Sequence, residues 1–242
     1  MAENTKKKLK KPDVKIVLLG DMNVGKTSLL HRYTERKFKD TVSTVGGAFY
    51  LKQWGPYNIS IWDTAGREQF HGLGSMYCRG AAAVILTYDT TSWQSYVELE
   101  DRFLSLTDTA NADCIFAIVG NKADLTDSHA QASNPDGEEG NQPARSSFSS
   151  SSLQRKQVNR EDAMALYGRV LHYKGLEEKT CLPAERMVFE TSAKTGYNVD
   201  VLFETVFDLV VPSILKKRNE VESTVDLEAP SKVKRTKAGC CA

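Results

Sequence analysis

The sequence predicts an α/β domain whose open, mostly parallel six-stranded sheet carries helices on both faces. Short apolar runs of strand length alternate with longer mixed segments that have helical periodicity. A Gly-Pro turn at 55–56 joins two of these runs and adds one antiparallel pair. Apolar residues make up 40% of the 242 residues, which is sufficient for one sizeable core.

Six segments have the composition of strands. They are VKIVLLG (14–20), AFYLKQW (48–54), YNISIW (57–62), AAAVILTYD (81–89), CIFAIVGN (114–121) and MVFETS (187–192). The second and third flank the Gly-Pro turn and are predicted to form a hairpin. Helical segments separate the others, so those strands are predicted to be parallel.

Four segments have the spacing of amphipathic helices, and the first runs from about Lys26 to Arg36. The second is marked by Trp93, Val97, Leu99, Phe103, Leu104 and Leu106, and the third by Ala163, Leu166, Tyr167 and Val170. The last is marked by Val201, Leu202, Phe203, Val206 and Leu209. Pro212 is predicted to close it, because proline cannot continue a helix without losing a hydrogen bond.

Composition also predicts the domain boundaries. Residues 1–12 form a basic N-terminal tail, 13–216 the domain, and 217–242 a polar C-terminal tail. Residues from about 126 to 157 contain GEEGNQP and SSFSSSS, which cannot bury enough apolar surface to fold, and we predict a disordered insertion there.

Several functional classes are disfavoured. The net charge of +1 argues against a dedicated nucleic-acid binder. Neither a secretory signal nor an apolar run of about 18 residues is present, so we expect no spanning helix. The five cysteines are odd in number and lack CxxC spacing. They therefore favour a reducing cytosol over a disulfide framework or a zinc site.

A phosphate-binding motif follows the first strand. Residues 20–27, GDMNVGKT, match GxxxxGK[ST] and open a predicted helix. Backbone N–H groups of such a loop bind phosphates, Lys26 contacts the β- and γ-phosphates, and the Thr27 hydroxyl binds Mg²⁺. The predicted phosphate-binding residues are Asp21, Met22, Asn23, Val24, Gly25, Lys26, Thr27 and Ser28. The alternative, a chance glycine-lysine turn, is disfavoured by this context.

Two further motifs select the base. Asn121-Lys122-Ala123-Asp124 ends a buried strand, where open α/β sheets bind ligands. An Asp124 carboxylate can accept from N1–H and the 2-amino group of guanine, and adenine offers neither donor. Residues 192–194, SAK, end the last strand and can offer a backbone N–H to guanine O6. The predicted guanine contacts are Asn121, Lys122, Asp124, Ser192, Ala193 and Lys194. The alternative for 121–124 is a polar strand-to-loop turn.

GDMNVGKT, STVGG, WDTAG, NKAD and ETSAK occur in the order and spacing of the Ras-like small GTPases, which have the P-loop NTPase fold. STVGGAF, ISIWDTAG and YCRG resemble the Rab family in particular. GGAFYLKQW with AGREQFHGLGSMYCRG is most similar to the mammalian Rab subgroup numbered twenty. The resemblance covers about residues 13–125 and 158–215.

The resemblance implies roles for residues around both switch segments. Thr44 would bind Mg²⁺ and the γ-phosphate, Asp63 would hold Mg²⁺ together with Thr27, and the Gly66 N–H would contact the γ-phosphate. Phe38 is a candidate to lie against the guanine, although it is one residue closer to Thr44 than is usual. The triad that would contact effectors is Phe49, Trp62 and Tyr77, and ordinary packing is its alternative role.

Arg67 departs from the family pattern, which has glutamine after WDTAG. A glutamine side chain donates and accepts, so it can orient the attacking water, whereas a guanidinium only donates. Met22 stands where the family has a small residue and would crowd the γ-phosphate. With Arg67, Gly66 and Lys26 as the catalytic set, we hypothesise slow intrinsic hydrolysis. The alternative is that an activating protein supplies a glutamine in trans.

The sequence ends in KAGCCA. A C-a-a-X box would need cysteine at 239, where glycine stands, so Cys240 and Cys241 instead resemble the Rab prenylation signal. A geranylgeranyl group on each would give stable anchoring, and the basic residues of 232–237 would add attraction to an anionic leaflet. Two cysteines without a function are the alternative.

The resemblance implies a GTP/GDP-cycling, membrane-anchored switch in vesicle trafficking, with a monomeric core. Its location would be the cytosolic face of endosomal, phagosomal or Golgi membranes, with a cytosolic pool. Its partners would be an exchange factor, a GTPase-activating protein, a Rab escort protein, a GDP-dissociation inhibitor and effectors of the GTP form. One alternative is a GTP-holding effector-binding module with little hydrolysis. Another is an ATP-dependent kinase or ATPase, which would leave NKAD and SAK unexplained.

Overall fold

Six strands form one sheet in a computed structural model of the chain. The structure describes residues 12–39, 41–66, 71–126, 154–176 and 181–225. At 71–73 and 217–225 it describes only the backbone. The strands are β1 (Val14–Leu19), β2 (Gly47–Trp54), β3 (Tyr57–Thr64), β4 (Ala83–Asp89), β5 (Ile115–Asn121) and β6 (Val188–Glu190). Their order is β2-β3-β1-β4-β5-β6. Only the β2–β3 pair is antiparallel among these strands, so the predicted sheet and hairpin are confirmed.

Central strands are mostly apolar and are buried along almost their whole length. All seven residues of β4 are buried, as are five of the six in β1. A parallel strand inside the sheet is covered on both faces, so its sequence is a near-continuous apolar run instead of an alternating pattern. The edge strand β2 instead alternates between exposed and half-buried residues, which is the pattern of a strand with one face in water.

Helices connect the strands in two directions. They are α1 (Lys26–Glu35), α2 (His71–Cys78), α3 (Trp93–Glu98), α4 (Arg160–Tyr173), α5 (Ala184–Met187) and α6 (Val199–Val225). The chain moves from β1 towards β3 in one direction and then towards β4, β5 and β6 in the other. Right-handed crossovers therefore place helices on opposite faces of the sheet. Packing between α1 and α6, through the stacked rings of Tyr33 and Phe203 at 4.6 Å, agrees with a shared face.

Two helix predictions need correction. The helix predicted over 93–106 is α-helical only to Glu98 and continues as a π-turn (Leu99–Phe103) and a 3-10 turn (Ser105–Thr109). The prediction that Pro212 closes the last helix is wrong, because α6 continues to Val225. Pro212 is exposed, and so is Asp208, whose carbonyl loses its helical donor, while Val210 and Ile214 continue the buried stripe.

Part of the predicted C-terminal tail is helical, and both ends of the predicted insertion form backbone contacts. α6 extends beyond the boundary placed at 216. Thr126 forms an isolated bridge with Gln154, and the Gln157 N–H donates to the Thr90 carbonyl at 2.9 Å. The rest of the predicted insertion, 127–153, lies outside the described residues, as do residues 1–11 and 226–242.

Candidate functional site

One cavity of about 370 Å³ lies at the carboxyl ends of the strands. Residues within 22–28, 38–44, 64–66, 121–125 and 193–194 line it. These segments include residues of GDMNVGKT, STVGG, WDTAG, NKAD and SAK, the motifs from which the phosphate and base contacts were predicted. The sheet order reverses at β1, and open α/β sheets bind ligands beside such a reversal. The fold therefore brings distant parts of the chain to one pocket.

The loop between β1 and α1 has a conformation that depends on its glycines. Gly20 has φ +142° and Gly25 has φ +95°, and an added Cβ at Gly20 would lie 2.1 Å from the Thr87 carbonyl oxygen. The loop leads directly into α1, whose first backbone N–H groups have no helical acceptors. This arrangement favours binding of an anion at the helix N-terminus.

Lys26 lies at the base of this loop and is 5% exposed. Its Nζ donates to the carbonyl oxygens of Gly20 at 2.7 Å and Asp21 at 2.8 Å. Burial lowers the pKa of Lys26 to about 8, and the nearby carboxylates of Asp63 and Asp21 act in the opposite direction. A phosphate in the cavity would supply the counter-charge that this ammonium needs.

Three oxygen-bearing side chains converge beside Lys26. The Thr27 hydroxyl donates to Asp63 Oδ2 at 2.6 Å and lies 2.9 Å from the Thr44 hydroxyl. Asp63 is fully buried, and its Oδ1 has no hydrogen-bond partner among the described residues. Burial raises the pKa of the Asp63 carboxyl, although hydrogen bonds from both threonines and the Lys26 charge lower it. A hard cation with oxygen ligands, such as Mg²⁺, fits this set.

The backbone at Gly66, just after β3, lies against the phosphate loop. A Cβ added there would lie 2.3 Å from both the Asp21 carbonyl carbon and the Met22 nitrogen. Only glycine therefore allows this close backbone approach. Met22 lines the cavity and is 51% exposed. Arg67, which follows Gly66, lies outside the described residues.

Asn121 joins the phosphate loop to the last base-binding segment. Its side chain is 2% exposed, donates from Nδ2 to the Val24 carbonyl at 2.8 Å, and accepts the Ala193 N–H at Oδ1 at 3.1 Å. An added Cβ on Gly25 would lie 2.4 Å from the same Nδ2. The amide group is needed because one side must donate and the other must accept.

The carboxylate of Asp124 is held by its neighbours at the opposite end of the cavity. Ser192 Oγ donates to Asp124 Oδ1 at 2.5 Å, and Lys194 Nζ lies 4.0 Å from Oδ2. Lys122 adopts φ +66° and pairs with Asp89 at 2.6 Å. Ser192 does not line the cavity, and neither do Asp21 and Val24, so these three support the residues that do.

The predicted aromatic triad forms a continuous contact outside the cavity. The Phe49 and Trp62 ring centroids lie 5.3 Å apart, and those of Trp62 and Tyr77 lie 5.6 Å apart. Phe49 is 50% exposed, so the cluster reaches the surface. An added Cβ on Gly47 would lie 2.9 Å from the Tyr77 ring, so this glycine makes room for it.

Several residues of the site were not predicted from the sequence. Thr41, Val42 and Ser43 line the cavity beside Thr44 and Phe38. Thr41 and Val42 belong to no motif, and Ser43, which begins STVGG, was given no role. Arg32 donates to the carbonyls of Ala193 and Lys194, and no sequence signal marks it, because its partners are backbone groups far along the chain. Lys15, whose Nζ lies 4.9 Å from the Trp62 ring centroid, was missed for a similar reason.

Within the described part of the chain, none of the helices combines the length and the apolar composition needed to cross a membrane. Cys240 and Cys241 lie outside that part.

Comparison with known proteins gives consistent matches. The model of the Ras family matches residues 15–211. Human Ras-related protein Rab-20 is 67% identical over 235 residues, which cover 97% of this chain and 100% of that protein. The mouse protein of the same name is 64% identical, with the same coverage of both chains. Ras-related protein RHN1 of Nicotiana plumbaginifolia is 42% identical over 120 residues, which are 48% of this chain and 60% of that protein.

Proposed function

The chain belongs to the Ras family, and within it to the Rab GTPases of the Rab-20 type, and we propose that it is a membrane-anchored switch in vesicle trafficking. Its reaction is the hydrolysis of GTP to GDP and phosphate. In the proposed cycle, bound GTP recruits effectors to an endosomal, phagosomal or Golgi membrane. Bound GDP allows a dissociation inhibitor to return the protein to the cytosol.

One observation supports the nucleotide site above all others. The Asn121 side chain contacts the phosphate loop at Val24 and the base-binding segment at Ala193 in a single buried arrangement. A pocket built this way presents main-chain donors at one end and the Asp124 carboxylate at the other. Those are the groups that a triphosphate and a guanine ring require.

The proposed chemistry of hydrolysis is mainly electrostatic. Amides of the phosphate loop and the Lys26 ammonium would bind the β- and γ-phosphates. Thr27, Thr44 and Asp63 would hold Mg²⁺, which when bound neutralises charge that develops on the phosphate oxygens. The Gly66 backbone lies against the phosphate loop, which supports the proposal that its N–H contacts the γ-phosphate. Loss of that phosphate would release the segments that carry Thr44 and Gly66.

We propose that intrinsic hydrolysis is slow. Arg67 replaces a glutamine that both accepts from and donates to the attacking water, and a guanidinium has no acceptor. Losing one transition-state contact of this kind costs about 2–4 kcal/mol in the barrier. The exposed Met22 side chain at the cavity adds steric crowding near the γ-phosphate position. These two residues also favour the second candidate, a GTP-holding effector-binding module with little hydrolysis.

Single-turnover cleavage of GTP tests this proposal and separates the two candidates. We expect Arg67→Gln to cleave about 30- to 1,000-fold faster than the wild type, from the barrier difference above. Arg79→Gln is the matched control, because it removes an exposed arginine that does not line the cavity. Equal, fast rates for wild type and Arg67→Gln would contradict slow hydrolysis. A wild type that cleaves GTP only with an activating protein would support the switch over the module.

The proposed anchor is a geranylgeranyl group on each of Cys240 and Cys241. Two lipid chains give stable attachment where one does not. The basic residues of 232–237 would add about 1 kcal/mol each near an anionic leaflet. Replacement of both cysteines by serine is expected to move a tagged protein from membranes to the cytosol, and unchanged membrane location would contradict the anchor.

The proposed partners follow from the cycle. An exchange factor would load GTP, a GTPase-activating protein would end the signal, and a Rab escort protein would present the chain for prenylation. Effectors of the GTP form would contact the triad of Phe49, Trp62 and Tyr77, which reaches the surface at the exposed Phe49 ring. Because this surface lies between the two switch segments, their order would control access to it.

A further inference from the structure

Arg32 holds the base-binding segment in place from the first helix. It lies on α1, where its Nε donates to the Ala193 carbonyl at 2.7 Å and its Nη2 donates to the Lys194 carbonyl. Its Nη1 donates to the Arg36 carbonyl at 3.2 Å, which fixes the guanidinium relative to the helix end. A planar guanidinium matches two neighbouring acceptors in a way that a lysine ammonium does not.

These contacts complete a closed set around the cavity. The Ala193 peptide is held on its N–H side by Asn121 and on its carbonyl side by Arg32. Asn121 in turn donates to Val24 in the phosphate loop. That loop continues directly into α1, which begins at Lys26 and carries Arg32. The phosphate and base ends of the cavity are therefore joined by two independent routes.

We infer that Arg32 is a positioning residue for guanine recognition. It does not line the cavity, so it acts through the backbone of Ala193 and Lys194. The neighbouring Ser192 hydroxyl donates to Asp124, the carboxylate that the proposed function assigns to the base. Loss of the Arg32 hydrogen bonds to Ala193 and Lys194 would loosen the segment that orients the Asp124 carboxylate. The inference rests on that proposed function.

The turn that follows is shaped to receive the arginine. Gly196 has φ +91°, and an added Cβ there would lie 3.6 Å from Arg32 Cδ. The Gly196 N–H donates to the Ser192 carbonyl at 2.8 Å, so the turn closes beside the arginine stem. The aliphatic part of Arg32 thus packs on the turn while its head binds the carbonyls.

Dissociation of fluorescent mant-GDP from the purified full chain with Mg²⁺ provides the test, with competition by GDP, IDP and GMP. IDP lacks the 2-amino group, so the GDP-to-IDP preference reports on the base end, and the GDP-to-GMP preference reports on the phosphate end. Arg32→Ala is expected to raise the dissociation rate at least about tenfold and to reduce the GDP-to-IDP preference. The GDP-to-GMP preference should stay within about twofold of wild type, because the Lys26 contacts remain.

Arg36→Asn is the matched control. Its side chain forms an exposed ion pair with Asp200 instead of contacting the base-binding segment, and asparagine tolerates the left-handed backbone at φ +58°. We expect its rate within about twofold of wild type. Arg32→Lys keeps the positive charge but loses the planar group that donates to two carbonyls, so its mant-GDP dissociation rate should exceed that of the wild type. This variant replaces Arg32→Ala in the test if Arg32→Ala does not fold.

Two results would overturn the inference: wild-type dissociation in both Arg32 variants, or equal weakening of GDP, IDP and GMP. Failure of the wild type itself to retain mant-GDP would instead overturn the proposed function.

Discussion

Asn121→Asp is a nearly isosteric change that tests the buried link between the two ends of the cavity. It keeps the oxygen that accepts the Ala193 N–H at 3.1 Å. The Nδ2 that donates to the Val24 carbonyl at 2.8 Å becomes a second carboxylate oxygen. The change therefore removes one donor and places two acceptors against each other at a site that is 2% exposed.

The magnitude follows from burial. Leaving a buried acceptor without its donor costs about 1–3 kcal/mol, and repulsion from the carboxylate adds to this. We expect a loss of about 2–4 kcal/mol in the free energy of unfolding. For a domain of this size, each kcal/mol lowers Tm by about 2–4 °C, so the expected decrease is about 4–16 °C. Scanning calorimetry at fixed GDP and Mg²⁺ concentrations measures it, because bound ligand also shifts Tm.

Gln53→Glu is the matched control, since it makes the same amide-to-carboxylate change on the surface. Gln53 is exposed, and among the described residues its side-chain Nε2 donates to the Gly55 carbonyl at 3.3 Å. Its effect should stay within about 0.5 kcal/mol. An Asn121→Asp variant that melts within 1 °C of the wild type, on the order of the measurement error, would refute the reasoning about the buried link.

Two further predictions concern the switch backbone and the cysteines. Gly66→Ala would force the end of β3 away from the phosphate loop, and this contact is proposed to sense the γ-phosphate. We therefore expect the ratio of GTP affinity to GDP affinity to fall at least about tenfold in competition titrations. An unchanged ratio would contradict the proposed role of Gly66. Burial raises the pKa of the Cys78 and Cys114 thiols to about 12, so almost none of either is the reactive thiolate at pH 8. For this test Cys240 and Cys241 are replaced by serine, and the protein is treated with iodoacetamide and followed by mass spectrometry. The half-buried Cys181 should be alkylated first, and alkylation of Cys78 or Cys114 before Cys181 would contradict this.

Local patterns were sufficient to predict most of the fold. The apolar runs at 81–89 and 114–121 identified β4 and β5 because parallel central strands are covered on both faces and therefore consist of near-continuous apolar runs. The Gly-Pro turn at 55–56 identified the β2–β3 hairpin because that turn is local. The helix α2 went unpredicted, since HGLGSMYC contains two glycines and no clear apolar periodicity.

Long-range features escaped prediction for a physical reason. Arg32 lies 161 positions from Ala193, and the contact uses a backbone carbonyl, which every residue has. Residue type therefore carries no information about the pairing. Pro212 shows that a local signal can also mislead. Proline predicts the end of a helix, but this exposed proline is tolerated because the apolar stripe of α6 continues past it. The motif residues were predictable because the residue type itself indicates the chemistry of the site, whatever partners the fold supplies.

Base selectivity of the wild type and of Asp124→Asn tests the central claim most directly. The purified chain with Mg²⁺ is loaded with mant-GDP and competed with GDP, ADP and xanthosine diphosphate. We expect the wild type to retain mant-GDP and to prefer GDP over both competitors. Asp124→Asn should lose its preference for GDP over xanthosine diphosphate, because an amide can donate to the 2-carbonyl of xanthine. A wild type that retains no guanine nucleotide, or an Asp124→Asn variant with unchanged preference, would contradict the account.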